Sequence, residues 1–566
     1  MNDHPNDPGA LRRAFDRRQF LLGVAGGVGA LALAGCKGSD SSPAPPGARP
    51  TVRKPDGALG FPTPFAANAD FGYNQMSLLF DTLLWRDGSG ELLPWLAESH
   101  RESEDHLTHT FQLRDGVKWS DGRPLTADDV VFTFEYYAKQ DTLPPPIIIR
   151  APFGVAKVSA TNDRTVVMTL ERPRVTFLSE VAGAVPIVPR HVWESVSDPA
   201  GALDTKVHLV GTGAYRLAEY NDDGGAMLYT ARDDYFLGAP YVQRIEMKAI
   251  TDQFAAMLAN ETDMGRGFGL RDDVLAPFEN DPAYGTISNV GSFITAGLHW
   301  NLGKGGALAD VRFRQACAMA IDRKDLLARL SAGKGAPGNP GFLSPQSPWH
   351  VPVRQYDFDP AGAGALLDSA GYRSGPGGAP RRDPEGRPLS FEFLFDSVDH
   401  APLSELIVPA LRRIGVELRP KPATIGPELF GPKIFGGFEM ATLLYPGPAP
   451  GGLNSDPDQL RRLFSSRLPG FSLTAASDYV NPRFDDLADR QLVTFDEAQR
   501  RTMVAEMQRM IADDIPILPL WYPEKVLGFR KQALDEWYFT PGEFPTADDN
   551  KHLYITGMKS GTKIRD

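Results

Sequence analysis

Residues 113–135 read Leu-Arg-Asp-Gly-Val-Lys-Trp-Ser-Asp-Gly-Arg-Pro-Leu-Thr-Ala-Asp-Asp-Val-Val-Phe-Thr-Phe-Glu. Asp115-Gly116 and Asp121-Gly122 are turn dipeptides, because glycine tolerates the positive φ of a tight turn, and they flank the bulky Trp119. Thr126, with Asp129 three residues on, forms a capping box and predicts a helix over residues 130–138. Just upstream, residues 107–115 have strand character. Strand, turns and helix thus follow one another closely, which predicts a mixed α/β lobe.

Further along, residues 164–172, 241–250 and 389–396 also read as strands. Asp359-Pro360 starts a helix that Gly371 stops, and Asp496 caps a long one. On that long helix Met503, Met507, Met510 and Ile511 recur at helical spacing, the pattern of a core stripe. Residues 375–388, full of Gly, Pro and Arg, read as a surface loop. No internal repeat is seen.

The chain has 566 residues, 42% of them hydrophobic and 23% charged, which is globular composition and long enough for more than one lobe. Its formal charge is −12; residues 1–35 hold four arginines against Asp3, Asp7 and Asp16, so the remainder carries about −13. No run of clustered Lys and Arg follows the leader, so phosphate contacts are not provided for and nucleic acid is not an expected partner.

Residues 1–35 read as a signal peptide, since the apolar stretch 20–33 is too short and too rich in glycine to span a bilayer. The run Asp16-Arg17-Arg18-Gln19-Phe20-Leu21-Leu22 resembles the twin-arginine export motif, with Asp16 in place of its serine or threonine and Leu22 in place of its usual lysine. Leu33-Ala34-Gly35-Cys36 resembles a bacterial lipobox, which implies a diacylglycerol on Cys36; an ordinary export signal with a chance cysteine is the alternative. The other cysteine, Cys317, lies in an apolar helical pattern as a buried thiol, so acylation of Cys36 leaves no internal disulfide. Residues 36–56, with much Ser, Pro and Gly, read as a flexible tether between lipid and body.

Catalytic patterns are missing: there is no Gly-x-Ser-x-Gly elbow, no His-Glu-x-x-His helix and no phosphate loop. The acid pairs (for example Asp128-Asp129, Asp272-Asp273 and Asp513-Asp514) are so many that they read as helix starts and solvated turns rather than acid/base dyads. His106 and His109, in a strand-like run, are expected on opposite faces and make poor metal partners. The run Gly265-Arg266-Gly267-Phe268-Gly269 lacks the strand-turn-helix setting of a dinucleotide site and reads as a loop. Neither a cofactor nor a metal site is expected.

The opening stretch does not stand alone. Leu79-Phe80-Asp81-Thr82-Leu83-Leu84 precedes it, and Gly211-Thr212-Gly213-Ala214-Tyr215 and residues 231–241 follow. Then come Asp310-Val311-Arg312-Phe313-Arg314-Gln315-Ala316, Ala320-Ile321-Asp322-Arg323-Lys324, and residues 363–372 with their Leu-Leu-Asp-Ser-Ala-Gly-Tyr. In this order the segments resemble the family 5 extracellular solute-binding proteins, the peptide, nickel and opine receptors of ABC importers. The resemblance runs over residues 79–372 and more faintly to about 521.

It implies an α/β, two-lobed, periplasmic-binding-protein-like fold whose lobes close on a ligand about a hinge. Lobe I is then expected at 57–295 plus 515–566, with a subdomain inserted at about 80–205, and lobe II at 296–514. A monomer is expected, working with ABC permease and ATPase subunits and held to a membrane through Cys36. Candidate ligand contacts lie near the crossings: Phe65 and Tyr73 in lobe I, Trp300 and Asn301 at the first crossing, Tyr445 and Leu453 in lobe II, and Trp521 and Tyr522 at the return. Aromatic side chains suit such contacts because they bury much area at low entropy cost, although for each of them plain core packing is the alternative.

The family's receptors for free peptides hold the ligand ammonium with an aspartate just ahead of an acidic turn in lobe II. Here the similar turn is Leu453-Asn454-Ser455-Asp456-Pro457-Asp458, and Leu453 stands at the acid's position. The ligand is therefore expected to be N-blocked, cyclic or not a peptide, unless a shift in the loop lets Asp456 take the role. Competing readings are a nickel or metallophore receptor, a secreted hydrolase, and a signalling or chaperone-like binder.

Overall fold

The 14-residue strand Ile517–Arg530 ties the molecule together. A computed structural model describes residues 49–66, 72–139, 154–199, 201, 206–221, 225–290, 294–397, 401–424, 437–446, 456–468, 478–541 and 549–565. In it, residues 517–521 of the strand pair antiparallel with Ile294–Trp300, and residues 521–523 with Gly335–Pro337. Residues 524–530 pair instead with Tyr284–Val290, and 525–529 with Met264–Phe268. Nearly every residue of the strand is buried, as a near-continuous apolar run covered on both faces requires. Pro519 sits at a register shift opposite Ala296 and Gly297, a place where its missing N–H is tolerated.

Two cores flank this strand. The first packs a four-stranded sheet, in the order Thr51–Lys54, Arg244–Met247, Ala226–Ala231 and Tyr215–Asn221, with a second sheet of Ala97–Glu102, Thr108–Leu113, Thr165–Leu170 and Val155–Asn162. The second core lays helices Val311–Ala320, Arg323–Leu330, Pro360–Ser369 and Ala401–Arg412 on the strands Ile294–Trp300, Met440–Pro446, Ser390–Asp396 and Glu417–Ala423. A satellite cluster gathers helices Asp458–Phe464, Pro482–Leu492 and Glu497–Asp514. The protein is thus a two-lobed α/β molecule.

Local signals translate directly. Helix Ala127–Ala138 carries the Thr126/Asp129 capping box, with the Thr126 N–H donating to Asp129 Oδ2 at 3.0 Å. Asp359 caps Pro360–Ser369, and Asp496 accepts the Gln499 N–H at 2.8 Å to start Glu497–Asp514. Met507 and Ile511 are buried in the satellite cluster, with Met503 and Met510 packed against it. Cys317 is fully buried in helix Val311–Ala320.

Three expectations are corrected by long-range pairing. Residues 51–54, expected in the tether, form a strand parallel to Arg244–Met247; Val52 is buried in the first core, and Lys54 forms ion pairs with Asp549 and Asp56. Of residues 265–269, expected in a loop, 265–268 belong to strand Met264–Phe268 on the long strand. The return to lobe I, expected at 515, comes later: Ile515, Leu518, Leu520 and Trp521 pack in the second core, and Leu527 and Phe529 in the first.

Candidate functional site

The chain passes between the cores twice, between Tyr284–Val290 and Ile294–Trp300 and again near the middle of Ile517–Arg530. These crossings bring expected and unexpected residues together. At the first, Trp521 stands opposite Ala296 and Tyr445 opposite Thr295, so two of the expected aromatic positions flank the start of the crossing strand. One step along, Phe268, Lys525 and Asn289 form a row across three strands. Lys525 is buried, and its ammonium lies 5.5 Å from the Phe268 ring centre.

Sequence reading passed over this row, yet it left a signal. Glu524-Lys525 interrupts an otherwise apolar strand, and buried lysines are rare enough to call for an explanation. Beside the row, Arg266 reaches Asp56, which Lys54 approaches at 3.2 Å. Burial would raise the Asp56 carboxyl, but Arg266 and Lys54 hold it at about 2.

The other candidates divide. Phe65 packs in lobe I among Tyr136, Tyr137 and Trp193, its ring centre 4.6 Å from that of Trp193. Tyr73 donates its hydroxyl to the Ala184 carbonyl at 3.0 Å and is buried. Trp300 donates its indole N–H to Ile515 at 2.9 Å, and the Asn301 amide donates to Phe438 at 2.9 Å, both inside lobe II. Tyr522 donates to the Phe342 carbonyl at 2.6 Å. Each of these five makes these contacts within its own lobe. Asp456 is held by Arg500. Leu453, Cys36, Arg17 and Arg18 lie outside the described residues.

His106 and His109 do not diverge as expected. His106 has a left-handed backbone (φ 58°) in the turn ahead of the strand, so it and His109 both turn to Glu102, with Nδ1 of His106 at 2.8 Å and Nε2 of His109 at 3.9 Å. His100 Nε2 lies 3.0 Å from His109 Nδ1. Burial pushes His109 down to about 4, outweighing the pull of Glu102. Among the described residues no group of three His, Cys, Asp or Glu side chains is placed to hold a metal ion. Burial raises the Cys317 thiol well above its ordinary range, which leaves it unreactive.

Away from the crossings the lobes touch again. The Val175 N–H donates to the Leu492 carbonyl at 2.9 Å, and the His106 ring stacks on Phe495 with centres 3.6 Å apart. Glu180 of lobe I, bound to Arg174, faces Arg462 of lobe II. Beside these contacts lies a cavity of about 200 Å³, walled by Glu171, Arg172 and Arg174 from one lobe and Arg461 and Leu492 from the other.

Comparison with known proteins agrees with this architecture. Residues 91–432 match the family model described as bacterial extracellular solute-binding proteins, family 5 Middle. Protein XP55 of Streptomyces lividans is 30% identical over 78% of this chain and 78% of its own length. The nickel-binding periplasmic protein of Escherichia coli is 27% identical over 79% of this chain and 85% of its own. The oligopeptide-binding protein AppA of Bacillus subtilis, solved in complex with a nonapeptide, superposes with a TM-score of 0.73 at 20% identity, covering 88% of this chain and 98% of that one.

Proposed function

Because the chain belongs to the bacterial extracellular solute-binding proteins of family 5, we propose that it captures a peptide or peptide-sized solute between its lobes and hands it to the permeases of an ABC importer. The observation that carries this reading is the pair of crossings. A guest seated there touches both lobes, and a ligand that contacts both favours the closed arrangement over the open one. The aromatic and charged row at the crossings supplies apolar area together with a few fixed polar groups, the usual composition of a small-ligand site. The family consists of solute-binding proteins, which supports grip and release without bond-making as the proposed chemistry.

The nonapeptide in the Bacillus subtilis structure supports the peptide reading, and the nickel-binding relative supports a metal chelate as the second reading. Export through Arg17-Arg18 and a lipid on Cys36 would hold the receptor, as a monomer, beside its permeases. Isothermal calorimetry of the purified protein against di- to pentapeptides, with nickel–histidine as a second arm, tests the assignment. Saturable binding of peptides is the expected result. Heat from the nickel arm alone would replace the peptide reading with the second, and heat from neither arm would remove both.

A further inference from the structure

We propose that Glu180 and Arg462 form a latch that holds the two lobes closed at a point outside the ligand cleft. The inference rests on the receptor reading in one respect only, that closure is the working motion. Glu180 Oε1 lies 2.6 Å from Arg462 Nη2, an ion pair without an aligned hydrogen bond, and both side chains are almost wholly buried.

Each partner is first secured within its own lobe. Arg174 binds Glu180 and donates to Thr176 at 2.9 Å, while Asp458 binds Arg461 and accepts from Arg462 at 3.1 Å. Gln491 donates to Asp458 at 2.9 Å. Separating Glu180 from Arg462 therefore leaves each with a partner in its own lobe, Arg174 and Asp458, which is what a reversible contact requires. Glu180 pairs with Arg174 and Arg462, and Asp458 with Arg461 and Arg462, so removing Glu180 takes away the carboxylate that the two lobes share. The fields reach across the gap: burial would raise the Asp458 carboxyl, but Arg461 and Arg462 on its own helix and Arg174 from lobe I hold it well below its ordinary value. The Val175-to-Leu492 hydrogen bond fixes the register in which the two sides meet.

The test needs no ligand. Val207 on lobe I and Val480 on lobe II are 52% and 67% exposed, and Cys317 is fully buried, so Val207→Cys and Val480→Cys in a full chain carrying Cys36→Ser accept spin labels selectively. After unfolding and refolding to strip solute, electron–electron double resonance reads the distance between lobes. The labelled parent should show a short distance, and Glu180→Gln and Arg462→Met should each add a longer one, the closed-to-open ratio falling by about one to two orders of magnitude. A parent showing only the long distance, or variants superposing on the parent, would overturn the latch. The parent alone can overturn it, so a variant that fails to fold does not shield it. Failure of peptides to bind in calorimetry would sink the receptor reading and leave this measurement standing.

Discussion

Asp456 and Arg500 meet in a two-point ion pair, Oδ1 to Nη2 at 2.6 Å and Oδ2 to Nη1 at 2.9 Å, within lobe II. The same Oδ1 accepts the Asp458 N–H at 2.8 Å, and Arg500 also donates to the Gln491 side chain at 2.8 Å. Both oxygens of Asp456 already accept from Arg500, so a ligand ammonium there would share a carboxylate whose charge the guanidinium balances. That supports the proposal of an N-blocked, cyclic or non-peptide ligand. Asp456→Asn should lower stability by about 2 kcal/mol, the scale of hydrogen bonds to a charged group, and leave ligand selectivity unchanged. Calorimetry with matched free and N-acetylated peptides checks this: the acetylated set should bind at least as well. Tight binding of the free set that Asp456→Asn abolishes would return Asp456 to the role of anchor.

Lys551 secures the C-terminal segment to the Leu79-to-Leu84 motif. Its ammonium donates to Asp81 Oδ1 at 2.6 Å and to the Ser77 and Phe80 carbonyls at 3.0 and 3.3 Å, 4.0 Å from the centre of the Trp85 ring. Burial pushes this lysine down and Asp81 pulls it back up. Lys551→Met leaves the buried Asp81 carboxylate without its cation and should cost about 3 to 5 kcal/mol in guanidinium unfolding. Adding Asp81→Leu should recover part of that loss; an additive double variant would show that the two residues are not coupled.

Local grammar was readable and distant pairing was not. Thr126 with Asp129, and Asp359 with Gly371, announce helix ends from residues a few positions apart. Gly265 and Gly267 looked like loop residues because nothing near them says otherwise. Gly265 in fact pairs with Gly528, and a Cβ on it would come within 3.0 Å of the Met257 sulfur, so the glycine serves helix-on-strand packing. The Gly211-Thr212-Gly213 motif has a similar cause, since a Cβ at Gly211 would lie 2.0 Å from the Leu79 carbonyl oxygen. Phe65, Tyr73 and Trp300 show the limit on the functional side, because composition cannot separate an aromatic that lines a cleft from one that fills a lobe. Glu180 and Arg462 are illegible for another reason: among so many charges, only the folded contact singles out this pair.

Acid should weaken the molecule through His109. Its folded pKa, lowered to about 4 by burial, lies below the ordinary value of 6.5. As pH falls through 6.5 the unfolded chain takes up a proton that the folded chain refuses. Stability from this group is therefore complete above pH 6.5 and is lost progressively toward pH 4, by up to about 3 kcal/mol. Melting curves from pH 7.5 to 4.5 for the parent and for His109→Gln measure the difference. The variant should start less stable and lose less on acidification, and parallel losses would assign the acid sensitivity to other groups.

Membrane attachment should depend on Cys36 alone. Among the described residues no helix is long and apolar enough to cross a bilayer, and the chain after the leader carries about −13, which an anionic membrane surface repels. The proposed anchor is Cys36, which stands at the end of the apolar run. One acyl chain gives only marginal binding, whereas the diacylglycerol that a lipobox cysteine receives places two chains in the bilayer. In cell fractionation the parent should sediment with membranes, and Cys36→Ser should move to the soluble exported fraction with an unchanged melting temperature. Arg17→Lys with Arg18→Lys should stop export and leave a folded protein inside the cell. A Cys36→Ser variant that stays wholly with the membrane would mean that the body itself, or another part of the chain, makes the attachment.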